Sequence, residues 1–289
     1  MTDELAGGRC LLCMLLCLMS TSSYNVAAGD PEPELASAAL TEAPEPLSVQ
    51  SPAAARWLRA RRLVDSVIVL VTTPIAVPLA AATMAAVVLS DRAKPLIRLD
   101  RVGQHGRSLR LVKIRTMRPV VTGTNGPAIT ASVDHRVTPV GSVLRRVRLD
   151  ELPQVASVLT GKLALIGPRP EVEAFVDTND PAWRKVLSIR PGIAGLTQVI
   201  ASPWEATQLH GPDPEIRYRE IAVPAKVAVD AWYVDHASLR LDLTICWSLV
   251  SMMAFGKTWT AAHQLVDAKV PAAAALLEPS RPTTPRAVK

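Results

Sequence analysis

The sequence predicts a mixed, helix-rich α/β fold: a small catalytic domain carried behind one membrane-associated helix. Three observations lead there. An uncharged apolar run from Ser66 to Leu89 is broken by Pro74 and Pro78. Short apolar stretches bounded by glycine read as strands at Leu109 to Ile114 and Leu163 to Ile166. Around them, apolar residues recur at helical spacing.

Composition supports the membrane element. Of 289 residues, 49% are hydrophobic yet only 4% aromatic, and the mean hydropathy of +0.21 is high for a soluble domain. The length accommodates one core of ordinary size plus tails. The net charge of +6 is unevenly spread, with Arg9 the only basic residue before position 56 and runs of arginine from Arg56 to Arg62, Arg92 to Arg118 and Arg145 to Arg148. A basic body attracts an anionic partner. The basic stretches lack interleaved aromatics and any nucleic-acid-binding signature, which excludes nucleic acid and leaves lipid or phosphate. Cys10, Cys13 and Cys17 sit in one leucine-rich run, Cys246 lies far away and the histidines are scattered, so neither a disulfide framework nor a transition-metal site is readable.

Residues 1–55 form an acidic, Ala/Pro-rich leader with too few periodic apolar residues to fold, and are expected to be largely disordered. The apolar run from Cys10 to Met19 has the length of a signal-peptide core, but Asp3 and Glu4 in front of it carry the wrong charge for one. Residues 56–95 are expected to be a membrane-associated re-entrant helix. At about 1.5 Å per residue the uncharged run is long enough for a hydrocarbon core of about 30 Å. Pro74 and Pro78 leave the carbonyls of Leu70 and Pro74 without helical partners on one face, which predicts a sharp bend. Arg56, Arg59, Arg61 and Arg62 precede the run, and Arg92, Lys94, Arg98 and Arg101 follow it. Basic flanks on both sides suit a hairpin with both ends on the cytoplasmic side; a kinked but complete transmembrane helix is the alternative.

Residues 96–262 are read as the catalytic domain. Arg101 to Gly106 forms a glycine-containing turn. On the following strand Lys113 and Arg115 share a face, a pair of cations suited to a pyrophosphate or, equally, to a solvated edge. Gly123 to Thr138 is polar and reads as a mobile loop. From Gly141, residues Val143, Leu144 and Val147 recur at helical spacing, with Arg145, Arg146 and Arg148 around the remaining surface. This helix is suited to an anionic membrane surface or to plain solvent.

The next helix is expected to start with Asp150 as its N-cap, Pro153 in the first turn, and Leu152, Val155, Val158 and Leu159 as the buried stripe before Gly161 ends it. At the positive end of the helix the carboxylate is expected to stay ionised, and free amides there can receive a phosphate oxygen. Neighbours on a helix point about 100° apart, so Asp150 and Glu151 cannot share a proton. One carboxylate attacking and the other holding a divalent cation is the expected division of labour, with Mg²⁺ suited to oxygen ligands and phosphate. Beyond the strand at Leu163 to Ile166, Pro168 and Pro170 hold Arg169 extended, ready for two parallel hydrogen bonds to phosphate oxygens. Arg190 to Gln198 is another glycine-punctuated loop. Leu243 to Gly256 is apolar but too short to span, so an interfacial or core helix is expected. Residues 263–289 are Ala/Pro-rich and are expected to be a disordered tail.

In order along the chain, RRLVD, RVGQHG, LVKIRTM, LRRVRLDELPQ, SVLTGKLALIGPRPE, RPGIAGLTQV and DAWYVDHASLRLDL resemble the bacterial sugar transferase family over about residues 59–256. Its members are monotopic polyprenyl-phosphate phosphoglycosyl transferases. The resemblance implies that Asp150 attacks a nucleoside diphosphate sugar, most naturally a UDP-sugar, forming a phosphosugar-aspartyl intermediate and releasing UMP. Polyprenyl phosphate then takes the sugar phosphate, the first membrane step of polysaccharide or glycoconjugate assembly. It further implies a Mg²⁺ role for Glu151, phosphate contacts for Lys113, Arg115, Arg145 and Arg169, membrane lipids as partners, and a bacterial inner-membrane location with the catalytic domain on the cytoplasmic face. Arg148 stands where the family carries a small hydroxyl residue, Lys162 where an acidic one is common, and Ile200 to Ser202 where a polar segment is usual. These departures bear on the donor sugar more than on the reaction. A non-catalytic scaffold of the same fold is disfavoured by the presence of both Asp150 and Glu151, and an unrelated basic membrane-binding module by the rigid Arg169 loop. The oligomeric state, including a homo-oligomer, is left open.

Overall fold

A computed structural model of the chain describes residues 49–118, 136–209, 213–256 and 260–277. The expectations for the leader up to residue 48, for most of the loop from Gly123 to Thr138 and for the last twelve positions lie outside these residues.

Helix α1 (Pro52–Asp91) starts four residues earlier than the expected boundary, because Ser51 caps it by accepting from the Ala54 amide and Pro52 fits the first turn. It continues through Pro74 and Pro78 as a single 40-residue helix, so the prolines do not split it. Its buried residues, including Ala54, Arg61, Asp65, Val69, Ala80, Thr83 and Val87, recur at three- to four-residue spacing or multiples of it along one face. The opposite face is apolar yet uncovered: Val71 is 71% and Ile75 73% exposed. Among the described residues this is the one helix long and apolar enough to cross a membrane, and only 17% of its most apolar window is buried, unlike the core helix of a soluble protein.

Both halves of α1 pack on the same domain. Val69 joins Leu109, Leu111, Val158 and Leu163 in one apolar cluster, while Val87 joins Ile114 and Leu144 in another. A buried polar group fixes the start of the helix. Arg61 donates to the Tyr233 hydroxyl at 2.5 Å and pairs with Asp242 at 3.4 Å; Tyr233 and Trp57 donate to the same carboxylate at 2.6 and 2.8 Å. Asp65 accepts from the Leu165 amide at 3.4 Å. Arg61, read from sequence as a charge flanking the membrane run, is therefore inside the protein. Its charge is matched by Asp242, which lies 181 positions away and gives no local signal.

Strands β1 (Leu96–Val102) and β2 (Ser108–Ile114) form an antiparallel hairpin with Leu96 opposite Ile114 and Val102 opposite Ser108. Helix α2 (Pro139–Arg146) follows, capped by Thr138, whose hydroxyl accepts from the Gly141 amide at 3.0 Å. A 3₁₀ helix (Leu149–Gln154) leads into α3 (Val155–Leu159), and Gly161, at φ +75°, ends it as expected. Strand β3 (Ala164–Ile166) pairs in parallel with β4 (Gly192–Ala194), across an excursion that contains α4 (Pro181–Val186). Part of the expected loop from Arg190 to Gln198 is thus a strand. Its Gly192 is sterically required, since a Cβ there would lie 2.2 Å from the Gly167 nitrogen.

The main core is helical. Helices α5 (Leu196–Gln208), α6 (Pro214–Arg217), α7 (Val223–His236) and α8 (Leu239–Phe255) follow, with one π-helical turn (Tyr218–Ala222) between α6 and α7. Trp204, Tyr233, Ile245, Leu196, Val199 and Val229 lie at its centre. Helix α8 turns Leu241, Ile245 and Leu249 inward and leaves Leu239, Leu243, Trp247 and Val250 exposed at i, i+4, i+8 and i+11, Trp247 by 64%. The buried side of α8 fits the core alternative for this segment, and the outer stripe is apolar.

The expected tail requires correction. Helices α9 (Ala261–Lys269) and α10 (Pro271–Leu276) fold back, burying Ala262, Val266, Ala273, Ala274 and Leu277 in the main core. An alanine-rich composition reads as low complexity, but alanine's small side chain lets helices approach closely and its helix propensity is the highest.

Candidate active site

The site grows from the turn after α2. Arg148, not Asp150, precedes the 3₁₀ helix, and its backbone is left-handed at φ 55°, ψ 24°. Asp150 and Glu151 therefore lie within the 3₁₀ helix, both 7% exposed. The expected N-cap and α-helical start are replaced by a tighter turn, in which neighbours point about 120° apart. The inference that the two carboxylates cannot share a proton still holds. Val158 is fully buried as expected, while Leu152, Val155 and Leu159 are half-buried.

Glu151 is the electrostatic centre. Its Oε1 accepts from Lys113 Nζ at 2.8 Å and from Arg169 at 2.5 Å, and Oε2 from the same guanidinium at 3.4 Å. Burial disfavours its charge, but Arg169 and Lys113 outweigh it and hold the carboxyl far below the usual range. Arg169 also donates to the Ile193 carbonyl of β4 at 2.6 Å, so the strand pairing and the Pro168–Pro170 bracket together fix the guanidinium. Asp150 differs. Burial raises its carboxyl above the ordinary aspartate range, opposed first by Lys113. Desolvation thus works against the charge that the helix end was expected to favour, while Lys113 supports it.

Two clefts meet here. One, of about 610 Å³, is lined by Asp150, Glu151, Arg145, Thr116 and β1 residues Ile97 and Leu99. The other, of about 440 Å³, runs past Arg169 and Gln198 to Phe175, Tyr218 and Lys226. Four of the six residues singled out from sequence, Lys113, Arg145, Asp150 and Glu151, line the first cleft, and Arg169 lines the second. Arg145 is steadied by its Nε donating to Thr116 at 2.7 Å. Arg115 lines neither cleft. Strand β2 ends at Ile114, one residue before Arg115, whose amide still donates to the Pro95 carbonyl at 2.7 Å and whose buried Nε has no hydrogen-bond partner among the described residues.

Other side chains here escaped the sequence reading. Lys226 of α7 donates to Glu171 at 3.0 Å and to the Tyr218 hydroxyl at 2.5 Å, Tyr218 donates to Glu171 at 2.6 Å, and Lys226 approaches Glu205 at 3.5 Å. Phe175 packs on Tyr218 with ring centroids 5.0 Å apart. Of these only Glu171, the last residue of GPRPE, stood in a recognisable motif; Lys226 lies 55 positions downstream with no marker. Arg101 and Gln198 also line the second cleft.

Among the described residues no group of three His, Cys, Asp or Glu side chains forms a cage for a metal ion. Magnesium does not need one, because it is commonly held by one or two carboxylates with substrate phosphates and water completing its shell. Glu151 Oε2, engaged only at 3.4 Å, is an oxygen of the required kind lining the cleft. The donor set fits an ion that arrives with a diphosphate.

The described residues thus form a helix-rich domain with a partly uncovered apolar helix and a cation-lined cleft around two buried carboxylates. The chain belongs to the bacterial sugar transferase family, whose pattern matches residues 56–256. It is 33% identical over 199 residues to the UDP-N-acetylgalactosamine-undecaprenyl-phosphate N-acetylgalactosaminephosphotransferase of Aeromonas hydrophila, a match covering 68% of this chain and 44% of that protein. It is 35% identical over 192 residues to the UDP-glucose:undecaprenyl-phosphate glucose-1-phosphate transferase of Caulobacter vibrioides, covering 64% and 66% of the two chains. The exopolysaccharide production protein ExoY of Sinorhizobium fredii is 30% identical over 192 residues, covering 60% and 76%. The chain thus spans less than half the length of the Aeromonas protein and about three quarters of ExoY.

Proposed function

We propose that this protein is a polyprenyl-phosphate phosphoglycosyl transferase that moves a sugar 1-phosphate from a UDP-sugar to polyprenyl phosphate by way of an aspartyl intermediate. The observation that carries the reading is the buried Asp150 carboxyl, raised in pKa and opening onto a cation-lined cleft beside an ion-paired Glu151. The kinship with undecaprenyl-phosphate sugar-phosphate transferases supports it.

In the first step an Asp150 carboxylate oxygen attacks the phosphorus that bears the sugar. A P–O acyl phosphate bond forms, the bond to the UMP oxygen breaks, and UMP leaves with that electron pair. In the second, a phosphate oxygen of the polyprenyl carrier attacks the same phosphorus and Asp150 leaves as carboxylate. No proton transfer is required, since both leaving groups depart as stable anions. Splitting the transfer lets a soluble donor and a lipid acceptor react at one carboxylate in turn. Lys113 and Arg169, held in register by Glu151, neutralise the diphosphate, and Arg145 faces the same cleft. Glu151 Oε2 would hold Mg²⁺, which when bound supplies further charge neutralisation on the diphosphate.

The uncovered face of α1 and the outer stripe of α8 are read as lipid-facing, with α1 re-entrant and the catalytic domain on the cytoplasmic face of the inner membrane. Both halves of α1 resting on one domain favours that topology. The product would be the first lipid-linked intermediate of exopolysaccharide synthesis.

The test uses purified protein with Mg²⁺, undecaprenyl phosphate and a panel of UDP-sugars. UMP release by one donor, and a mass increase of one sugar phosphate on Asp150 with donor alone, are expected. Asp150→Asn is expected to lose on the order of a thousandfold or more in rate. UMP release undiminished in the variant would refute the mechanism. Cysteine labelling at the two ends of α1 tests topology, and labels on opposite sides of the membrane would reject the hairpin.

A further inference from the structure

A phosphoryl group passed from one substrate to another through an enzyme-bound intermediate stays in one place while its partners change. A side chain that accompanies it must be reachable from both substrate sites. Among the described residues, only Leu99, Arg101, Lys113, Arg148 and Val172 line both clefts. Arg145 faces one cleft alone, and Gln198 and Ser202 the other.

The three shared cations are not equivalent. Lys113 is ion-paired with Glu151 at 2.8 Å. Arg101 extends from β1 and donates to the Asp100 carbonyl at 2.9 Å. Arg148 is the residue at the turn into Asp150, two positions away. In the carboxamide orientation that satisfies its surroundings, Gln198 accepts from Arg148 and, at 3.0 Å, from Arg169. A neutral amide oxygen therefore aligns Arg148 but does not cancel its charge. Of the carboxylates near it, Glu151 is engaged by Lys113 and Arg169 and Glu205 by Lys226, and Asp150 acts on it only at a distance, with no salt bridge between them among the described residues. Arg169 adds a like charge nearby and burial disfavours the cation further, so the Arg148 guanidinium is held below its usual affinity for a proton. Its left-handed backbone, costly for a residue with a Cβ, is a second sign that the side chain is held where its own preference would not put it. A half-buried guanidinium that forms no salt bridge among the described residues is a receptor for an anion.

We propose that Arg148 is a substrate-contact residue that stays on the transferred phosphoryl group through both half-reactions, whereas Arg145 serves only the substrate that occupies the carboxylate cleft. This rests on the two-step reading above and adds a residue role to it.

The two halves can be measured separately in the full-length protein in detergent. Formation of the aspartyl adduct is followed by rapid quench with donor alone, using UDP-glucose or UDP-N-acetylgalactosamine, whichever the wild type turns over. Discharge is followed by adding undecaprenyl phosphate to enzyme carrying the adduct. Arg148→Ser is expected to slow both steps by about ten- to a hundredfold, the loss of one charge-assisted hydrogen bond. Arg148→Lys, which keeps the charge without the planar fork, is expected to slow both by less. Arg145→Ala is expected to slow one step and leave the other within about twofold. If Arg148→Ser alters only one half-reaction, or neither, the inference is overturned while the covalent mechanism stands. Should the serine variant not fold, the lysine variant decides on the same criterion. Absence of any adduct in the wild type would overturn the two-step reading itself.

Discussion

Asp230 of α7 offers a quantitative check on the folded domain. It is 5% exposed, its Oδ1 has no hydrogen-bond partner among the described residues, and its Oδ2 receives only the Thr197 hydroxyl at 3.4 Å. Burial pushes the carboxyl up to about 8, against the opposing pull of Lys226 and Thr197. With the unfolded value near 4, the folded state binds one more proton than the unfolded state between about pH 4 and 8. Stability from this group is therefore complete below pH ~4, declines as pH rises and levels off above pH ~8. The slope is about 1.4 kcal/mol per pH unit, so raising the pH from 5.5 to 7.5 removes roughly 2.7 kcal/mol. For a domain of this size that is roughly 5–10 °C in Tm. Asp230→Asn keeps the shape, carries no charge at any pH and removes this component. Thermal melts of both proteins in the same detergent should coincide at or below about pH 4 and separate progressively towards pH 8, the variant being the more stable. Parallel melting curves across that window would refute the argument.

Three further outcomes test the architecture. Arg61→Met strands Asp242 without its cation and should destabilise by about 3–5 kcal/mol, visible as a lower denaturation midpoint; an unchanged midpoint would mean that the buried pair does not anchor α1. Gly192→Ala places a methyl 2.2 Å from the Gly167 nitrogen and 2.7 Å from the Ala194 carbonyl oxygen, and should give little folded protein by size-exclusion chromatography or proteolysis; normal yield and melting would contradict the β3–β4 packing. Arg169→Lys retains charge but cannot bridge Glu151 and Ile193 together, and a fall in UMP release of about a hundredfold is expected, with wild-type turnover as the contrary result.

Much of this site was readable because its parts are local. Pro168 and Pro170 announce the rigid arginine, Gly161 stops α3, and Lys113 occupies its cleft as the strand period requires. Missed features depend on distant partners or unfavourable backbone. No propensity would place arginine at φ 55°, so Arg148 was passed over as the residue that shapes the turn and Asp150 was taken for a cap. Tyr218 and Lys226 acquire meaning only when α7 packs beside the GPRPE segment. Arg61 looked like a charge meant for lipid headgroups until Asp242 came to meet it. Arg115, one residue past the end of β2, lines neither of the two clefts.

The way α1 is fastened also limits how the enzyme can respond to its surroundings. Its first half is bolted to α8 through Arg61 and Asp242, and its second half rests on the hairpin that carries Lys113. Sliding the helix by one turn, about 5.4 Å, would break both attachments at once. In the proposed topology the height of Asp150 above the hydrocarbon is then a constant of the protein. A thicker or thinner bilayer would tilt the molecule or deform the lipid around it, while the acceptor's headgroup would always have to rise to the same level to be served.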